Sequence, residues 1–516
     1  MGRTPHAPRP CLRGGGRGRH VRRAPRRGGW PVSAGAEAWA GEWVSRRLDV
    51  RLVDGERPAG VGLSDLVGLA VRRNPRRAHL LVSAVLGKHV PTDPRLVYGS
   101  GLLLGDLVRA RLNVRQPDGL NERQPSGPDG SAGRDGGDES IDLGGLLAEA
   151  LKGRPGAAAA LRDRMRAPRT PVDAVVLGYA ETATALGHAV ADALGGAYYL
   201  HSTRRPVAGF ATYGGFEEEH SHATSHLLLP ADPAAAGAEV PMVLVDDELS
   251  TGRTVLNTIR ALHAVRPRRH YVVAALVDLR DDEDRARMHD LADELDVRID
   301  AVALASGRVE LPDGILETGQ TIVAELEAVR SEQQVARRAG RPVTRIDVAW
   351  PAGLPDGGRH GFTPGHRDLL EKRLPDMAAR LVPALAGCGR VLVLGFEELM
   401  YAPLRLAEAL ADALPDVAVR YSTTTRSPVL AVDDPGYAIR TRLAFPAHDD
   451  PADGPGERYA YNVDAGSDAA ARFDAIVLVI DDVADTAALA DGLLAELSAL
   501  APVSVVVIPA LRKGDL

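Results

Sequence analysis

Two adjacent carboxylates, Asp246 and Asp247, are followed after two residues by Ser250, Thr251, Gly252, Arg253 and Thr254. These types at this spacing suit a phosphorylated sugar. Acids at a strand end can hold the hydroxyls of a polyol or a hydrated cation. Small hydroxylated residues at a helix start can hold a phosphate, because the first backbone N–H groups of a helix have no partner within it. Gly252 permits a positive φ and a close backbone approach. The chemistry therefore needs a strand before these residues and a helix after them. The apolar run MVLV at 242–245 predicts a short strand buried on both faces, as in a parallel sheet. Val255, Leu256, Ile259 and Leu262 then recur at helical spacing. The plain alternative is a strand–turn–helix with a solvated acidic turn.

Other segments offer complementary groups. Residues 174–177 predict a strand that opens into Gly178, Tyr179, Ala180, Glu181 and Thr182, before a helix carrying Leu186, Val190 and Leu194 on one side. Residues 197–200 predict a strand leading to Arg204 and Arg205, whose guanidinium groups can form paired bonds to phosphate oxygens. A solvated basic turn is the alternative. The apolar run HLLVSAV at 79–85 ends in Gly87, Lys88 and His89, a candidate anion loop or a surface loop. Residues 209–225 are glycine-rich, then acidic; the cluster Glu217, Glu218, Glu219 and His220 reads as a metal site or as solvated acids. Residues 63–71 predict a helix, with Leu63, Leu66, Val67 and Ala70 on one face.

At 516 residues the chain exceeds the usual single domain, and a hydrophobic share of 45% supports a globular body. The formal charge of -7 gives no whole-protein case for nucleic-acid binding. Cys11 and Cys388 form no metal-ligand pattern. No apolar run is long enough to span a bilayer, and the basic N-terminus lacks the apolar core of a signal peptide. A cytoplasmic enzyme is the simplest class. Residues 1–40, rich in Arg, Gly and Pro, predict a disordered tail; an RNA-contacting arm is the alternative. Residues 117–140 predict a disordered insertion, and 331–342 a linker.

The string at 242–254 resembles the phosphoribosyl-pyrophosphate (PRPP) motif of type I phosphoribosyltransferases. The resemblance implies that Asp246 and Asp247 bind the ribose hydroxyls, directly or through Mg²⁺, and act in catalysis. Ser250, Thr251, Gly252, Arg253 and Thr254 would wrap the 5′-phosphate. The loop Gly178, Tyr179, Ala180, Glu181 and Thr182 resembles the family's pyrophosphate loop in position, with Glu181 the candidate general base. Arg204 and Arg205 would meet the pyrophosphate, and residues 209–225 would close over the ligand. Purine-salvage members carry an Asp where this chain has Ser250, which puts a purine mechanism of that type in doubt.

The second half repeats the first. VLVLGFEE at 391–398 echoes residues 175–181, YSTTTRSPV at 421–429 echoes YLHSTRRPV at 199–207, and LVIDDVADT at 478–486 echoes VLVDDELST at 243–251. Residues 442–446 sit where 226–230 sit. Asp481 and Asp482 keep the acid pair, but Ala487 replaces the glycine. With Thr425, Arg426, Ser427 and Pro428, the chain resembles the bacterial phosphoribosyltransferases of tellurite-resistance and stress clusters that carry a C-terminal TRSP domain. The expected fold is α/β: a phosphoribosyltransferase domain over 41–330 and a degenerate TRSP-type copy over 343–516, both Rossmann-like with mostly parallel sheets. The expected activity moves ribose 5-phosphate from PRPP to a nitrogenous acceptor with release of pyrophosphate and use of Mg²⁺, in a stress-linked nucleoside pathway. A non-catalytic PRPP or nucleotide sensor is the alternative. Expected partners are PRPP and a small acceptor, with no membrane, and nucleic acid only through the basic tail; a homodimer is left open.

Overall fold

A computed structural model describes residues 38–74, 77–113, 142–217, 225–331, 339–447 and 456–515. The tail expected at 1–40, the insertion at 117–140, the linker at 331–342 and the acidic cluster at 217–220 fall largely or wholly outside these residues. The strands are β1 (Arg51–Asp54), β2 (Val67–Asn74), β3 (Arg77–Ser83), β4 (Val175–Gly178), β5 (Tyr198–His201), β6 (Gly214–Glu217), β7 (Ser225–Leu228), β8 (Met242–Leu249) and β9 (His270–Asp278). They continue with β10 (Arg298–Glu310), β11 (Val343–Arg345), β12 (Arg390–Gly395), β13 (Ala418–Thr423), β14 (Arg442–Pro446), β15 (Glu457–Tyr461), β16 (Ala475–Asp481) and β17 (Val503–Ile508).

Two sheets carry the fold. The first runs β1-β10-β9-β8-β4-β5 and is parallel except for β1; the second runs β11-β17-β16-β12-β13 and is parallel throughout. β4, β8 and β9 of one therefore answer β12, β16 and β17 of the other. The near-continuous apolar runs are explained by this arrangement: helices cover both faces of a parallel sheet, so its strands are buried on both sides. Val243, Leu244 and Val245 are fully buried, as are Val477, Leu478 and Val479. Residues of both sheets share one apolar core.

The halves also interlock through charge. Arg162 meets Glu408 at 3.0 Å and Asp412 at 2.7 Å. Arg405, almost wholly buried on the helix Tyr401–Ala413, meets Glu371 and Glu408 at 2.7 Å each and lies over the Tyr98 ring at 4.0 Å.

Three expectations change. The helix expected over 63–71 is one turn, Leu63–Leu66, because Val67–Val71 pairs instead with His79–Ser83 as an antiparallel hairpin. β8 continues past Val245 to Leu249, because β9 extends far enough to pair with Glu248 and Leu249. Residues 442–446 answer β6 and not 226–230. Thr203 bridges Leu227 in β7, and its counterpart Thr425 bridges Tyr459 in β15, so β15 is the equivalent of β7.

Candidate functional site

The acid pair stands where β8 outruns β4. Gly178, the last residue of β4, lies opposite Val245, so Asp246 is the first β8 residue beyond that pairing. Asp246, Asp247 and Glu248 are half-buried. Asp246 Oδ1 accepts a hydrogen bond from the Asp247 N–H at 2.9 Å. Glu248 turns toward Arg77 at 3.5 Å; burial, reinforced by Asp247, raises its carboxyl above the usual range.

Past Ser250 and Thr251 the chain turns at Gly252, with φ at 73°, into the helix Arg253–Val265. A side chain at Gly252 would be strained by that φ and would lie 3.3 Å from Arg280 Cδ. Arg280 is fixed beneath the turn by Asp278, at 3.0 Å from Nε and 2.9 Å from Nη2. Gly252, at the N-cap, makes no side-chain cap to the helix Arg253–Val265. A helix start without a side-chain cap of its own suits an anion, through the leading N–H groups and the macrodipole. Thr254 starts the helix beside Arg253, as the spacing implied.

The loop after β4 is fixed from several sides. The Tyr179 N–H donates to Val245 O at 3.1 Å, and the Ala180 N–H donates to Ser202 Oγ at 3.0 Å. Ser202 Oγ in turn meets His226 Nδ1 at 2.9 Å. Tyr179 packs edge-on to Phe216, with ring centroids 5.3 Å apart. The Ala180–Glu181 peptide is cis, and Thr182 follows in the turn that starts the helix Thr184–Leu194. Glu181 is buried against the C-terminal half, 2.9 Å from Arg426 Nε and 3.4 Å from Thr425 Oγ1. Asp246, Asp247, Ser250–Thr254 and Gly178–Thr182 therefore gather at the carboxyl ends of the neighbouring strands β4 and β8.

Arg205 lies elsewhere. Thr203 Oγ1 donates to Glu398 at 2.8 Å, and the Arg204 N–H donates to Glu398 at 3.2 Å. The Arg205 guanidinium sits 3.7 Å from Glu397 and 3.8 Å from Asp481, inside the second copy. The exchange is reciprocal: Thr203 grips Glu398 as Thr425 grips Glu181.

A second exchange was not foreseen. Thr92 trades two backbone hydrogen bonds with Tyr421 on β13, at 3.0 and 2.8 Å. Phe362 does the same with Tyr199 on β5, at 2.9 and 2.7 Å. Each half thus covers the other's edge strand. The signal was present as two copies of one motif: Gly87, Lys88, His89 and Thr92 match Gly358, Arg359, His360 and Thr363 in type and spacing.

At the second copy's acid pair the polar groups are already answered. Asp481 Oδ1 accepts the Ala484 N–H at 2.9 Å, and Asp482 pairs with Arg512 at 2.9 Å. Thr486 Oγ1 accepts the Leu489 N–H at 3.3 Å. Burial would raise the Glu398 carboxyl, but Arg359 and Arg205 hold it well below the usual range. Burial raises Asp481 against the pull of the same two arginines.

Residues 66–308 match the phosphoribosyl transferase family PRTase_2, and residues 356–497 match the TRSP domain that lies C-terminal to PRTase_2. The N-terminal half thus carries a phosphoribosyl transferase domain and the C-terminal half a TRSP domain. No curated protein matches the chain. Among solved structures it is similar to adenine phosphoribosyltransferase from Trypanosoma brucei in complex with AMP, pyrophosphate and ribose-5-phosphate, at 17% identity, covering 27% of this chain and 60% of that one, with a TM-score of 0.20. It is also similar to adenine phosphoribosyltransferase from Leishmania donovani, at 18% identity over 31% and 68% of the two chains, with a TM-score of 0.22. The enzyme from Giardia lamblia, complexed with 9-deazaadenine, matches at 17% identity over 31% and 83%, with a TM-score of 0.20. The chain thus spans 60% of the length of the Trypanosoma enzyme. No helix among the described residues is long and apolar enough to cross a membrane.

Proposed function

We propose that the N-terminal half binds PRPP and transfers its ribose 5-phosphate to a nitrogenous, base-like acceptor, releasing pyrophosphate. The observation that carries this reading is the uncapped helix start at Gly252, directly after two half-buried acids and beside the loop at Gly178. The 5′-phosphate would take the N–H groups and hydroxyls of Ser250, Thr251, Gly252, Arg253 and Thr254. Asp246 and Asp247 would accept from the ribose hydroxyls. The loop of Gly178, Tyr179, Ala180, Glu181 and Thr182 would face the pyrophosphate, held in shape by the Tyr179 and Ala180 N–H groups, which are bonded to Val245 O and Ser202 Oγ.

In the reaction the bond from the anomeric carbon to the pyrophosphate oxygen breaks, and pyrophosphate keeps the electron pair. A bond from the acceptor nitrogen to that carbon forms, and the nitrogen gives up its proton to solvent. Glu181, ion-paired with Arg426, would hold the loop in place and would not accept that proton. Asp246 and Asp247, two adjacent half-buried carboxylates, suit a divalent cation shared with the oxygens of the ligand. Mg²⁺, when bound, supplies positive charge against the leaving pyrophosphate. A place in a tellurite-resistance or stress-linked nucleoside pathway rests on the TRSP match alone.

Labelled PRPP, incubated with magnesium, pure protein and a metabolite extract, should yield a ribosylated product and free pyrophosphate. Asp246→Asn should abolish both. If calorimetry with magnesium detects no heat from PRPP or from any ribonucleotide, the assignment is wrong.

A further inference from the structure

Lys88 is 9% exposed, yet it forms no ion pair and no side-chain hydrogen bond with any described residue. Its stem is buried while its ammonium is left unpaired, which sets a positive charge where an anionic ligand can meet it. Next to it, His89 is also buried, and its Nε2 has no hydrogen-bond partner among the described residues.

The second copy shows what normally faces this position. Arg359, the counterpart of Lys88, lies 3.6 Å from Asp356 and 3.2 Å from Glu398, and its charge acts on Asp481, the counterpart of Asp246. In the first copy Val85 stands where Asp356 would be, three residues before the cation. Glu181, the counterpart of Glu398, is taken by Arg426. Both protein counter-charges are therefore missing from Lys88, while the acid pair it should overlook is retained.

We propose that Lys88 receives the pyrophosphate group of the ligand, and that the C-terminal half holds Lys88 in position for it. This rests on the PRPP reading above and adds a residue to it. The holding contacts come from the C-terminal half. Ser422 Oγ donates to Lys88 O at 3.4 Å, Asn462 Nδ2 donates to His89 O at 2.9 Å, and Thr92 pairs with Tyr421. An ammonium on a flexible stem is a compact point charge, suited to an oxygen-rich anion that must later leave.

The test is calorimetry on the full chain with magnesium, using PRPP, ribose 5-phosphate and inorganic pyrophosphate in turn. Lys88→Met should weaken PRPP and pyrophosphate by about 100-fold, the usual scale for removing one partner of a buried charge pair. Ribose 5-phosphate, which lacks the pyrophosphate, should bind within about threefold of wild type, and this also reports that the variant is folded. Lys88→Arg should recover most of the PRPP affinity. Unchanged PRPP affinity in Lys88→Met, or equal loss of PRPP and ribose 5-phosphate, overturns the role of Lys88 alone. Wild-type protein that binds neither ligand overturns the PRPP reading and this inference together.

Discussion

At the end of β8 the helix Arg253–Val265 starts without a side-chain cap; at the end of β16 Thr486 caps its own helix start. The contrast recurs around each site. The Ala180 N–H rests on Ser202 and, through it, on His226, whereas its counterpart Glu397 is a fully buried acid meeting Arg426 and Arg458 at 2.7 Å each. Lys88 lacks a carboxylate, whereas Arg359 has two. One fold, used twice, has thus been taken in two directions. The first copy leaves its helix start without a side-chain cap and Lys88 without a carboxylate, an arrangement that would serve an anionic ligand. The second spends the same groups on itself and on its partner, and serves as a clasp.

The largest test of that contrast strikes the clasp. Arg426 bridges buried Glu181 of the first copy and buried Glu397 of the second, at 2.9 and 2.7 Å. Arg426→Met should lower unfolding free energy by about 3 kcal/mol, the scale for stranding one side of a buried ion pair. Denaturant unfolding checks it, and unchanged stability would mean the clasp does not join the halves.

A comparable effect should come with acid. Burial pushes His360 down to about 4, despite its Nδ1 contact with the Leu229 carbonyl; Arg359 and His201 push the same way and Glu398 opposes. Between about pH 6.5 and about pH 4 the unfolded chain binds a proton that folded His360 refuses. Stability is therefore lost as pH falls through that window, by up to about 3 kcal/mol from this group. Asp192, raised by burial to about 6, works the other way, gaining stability as pH falls below that value. The difference between wild type and His360→Gln isolates the histidine. The two unfolding curves should converge as pH drops from 7 to 4, and parallel curves would remove His360 from the account.

Much of the site was legible because it is local. A strand, a loop and a helix start lie within thirteen residues at 242–254, and hydrophobic runs and glycine placement report such neighbours directly. The repeat was legible for the same reason, since each matched segment is one such unit. The misplaced features all depend on distant pairing. Leu63, Leu66, Val67 and Ala70 fit a helical face, but contact with residues 79–83 selects a strand after Leu66. LAFP at 443–446 imitates LLLP at 227–230, and only the bridges at Thr203 and Thr425 show which hairpin arm answers which. Arg205 reads as a ligand residue from its position after β5, yet it lies 3.7 Å from Glu397 and 3.8 Å from Asp481, both in the other half. No periodicity along one segment can reveal that exchange.

A smaller effect should follow from giving the first copy the second copy's loop residue. Gly252→Ala places a methyl at a φ of 73°. The strain is about 1–2 kcal/mol, so PRPP affinity should fall about tenfold while the fold is kept. Calorimetry against wild type reads it directly, and an unaltered affinity would show that the glycine is not what separates the two copies.

The reverse exchange should change least. Ala487→Gly restores the missing glycine, but it does not free Asp481, whose Oδ1 still accepts the Ala484 N–H, or Thr486, which still caps Leu489. Arg205 also remains beside Asp481 at 3.8 Å. Titration should therefore still show one PRPP per chain, with stability lower by about 0.5–1 kcal/mol from glycine in a helical position. A second equivalent of PRPP bound by this variant would mean that the backbone at 487, and not the surrounding ion pairs and caps, closes the second site.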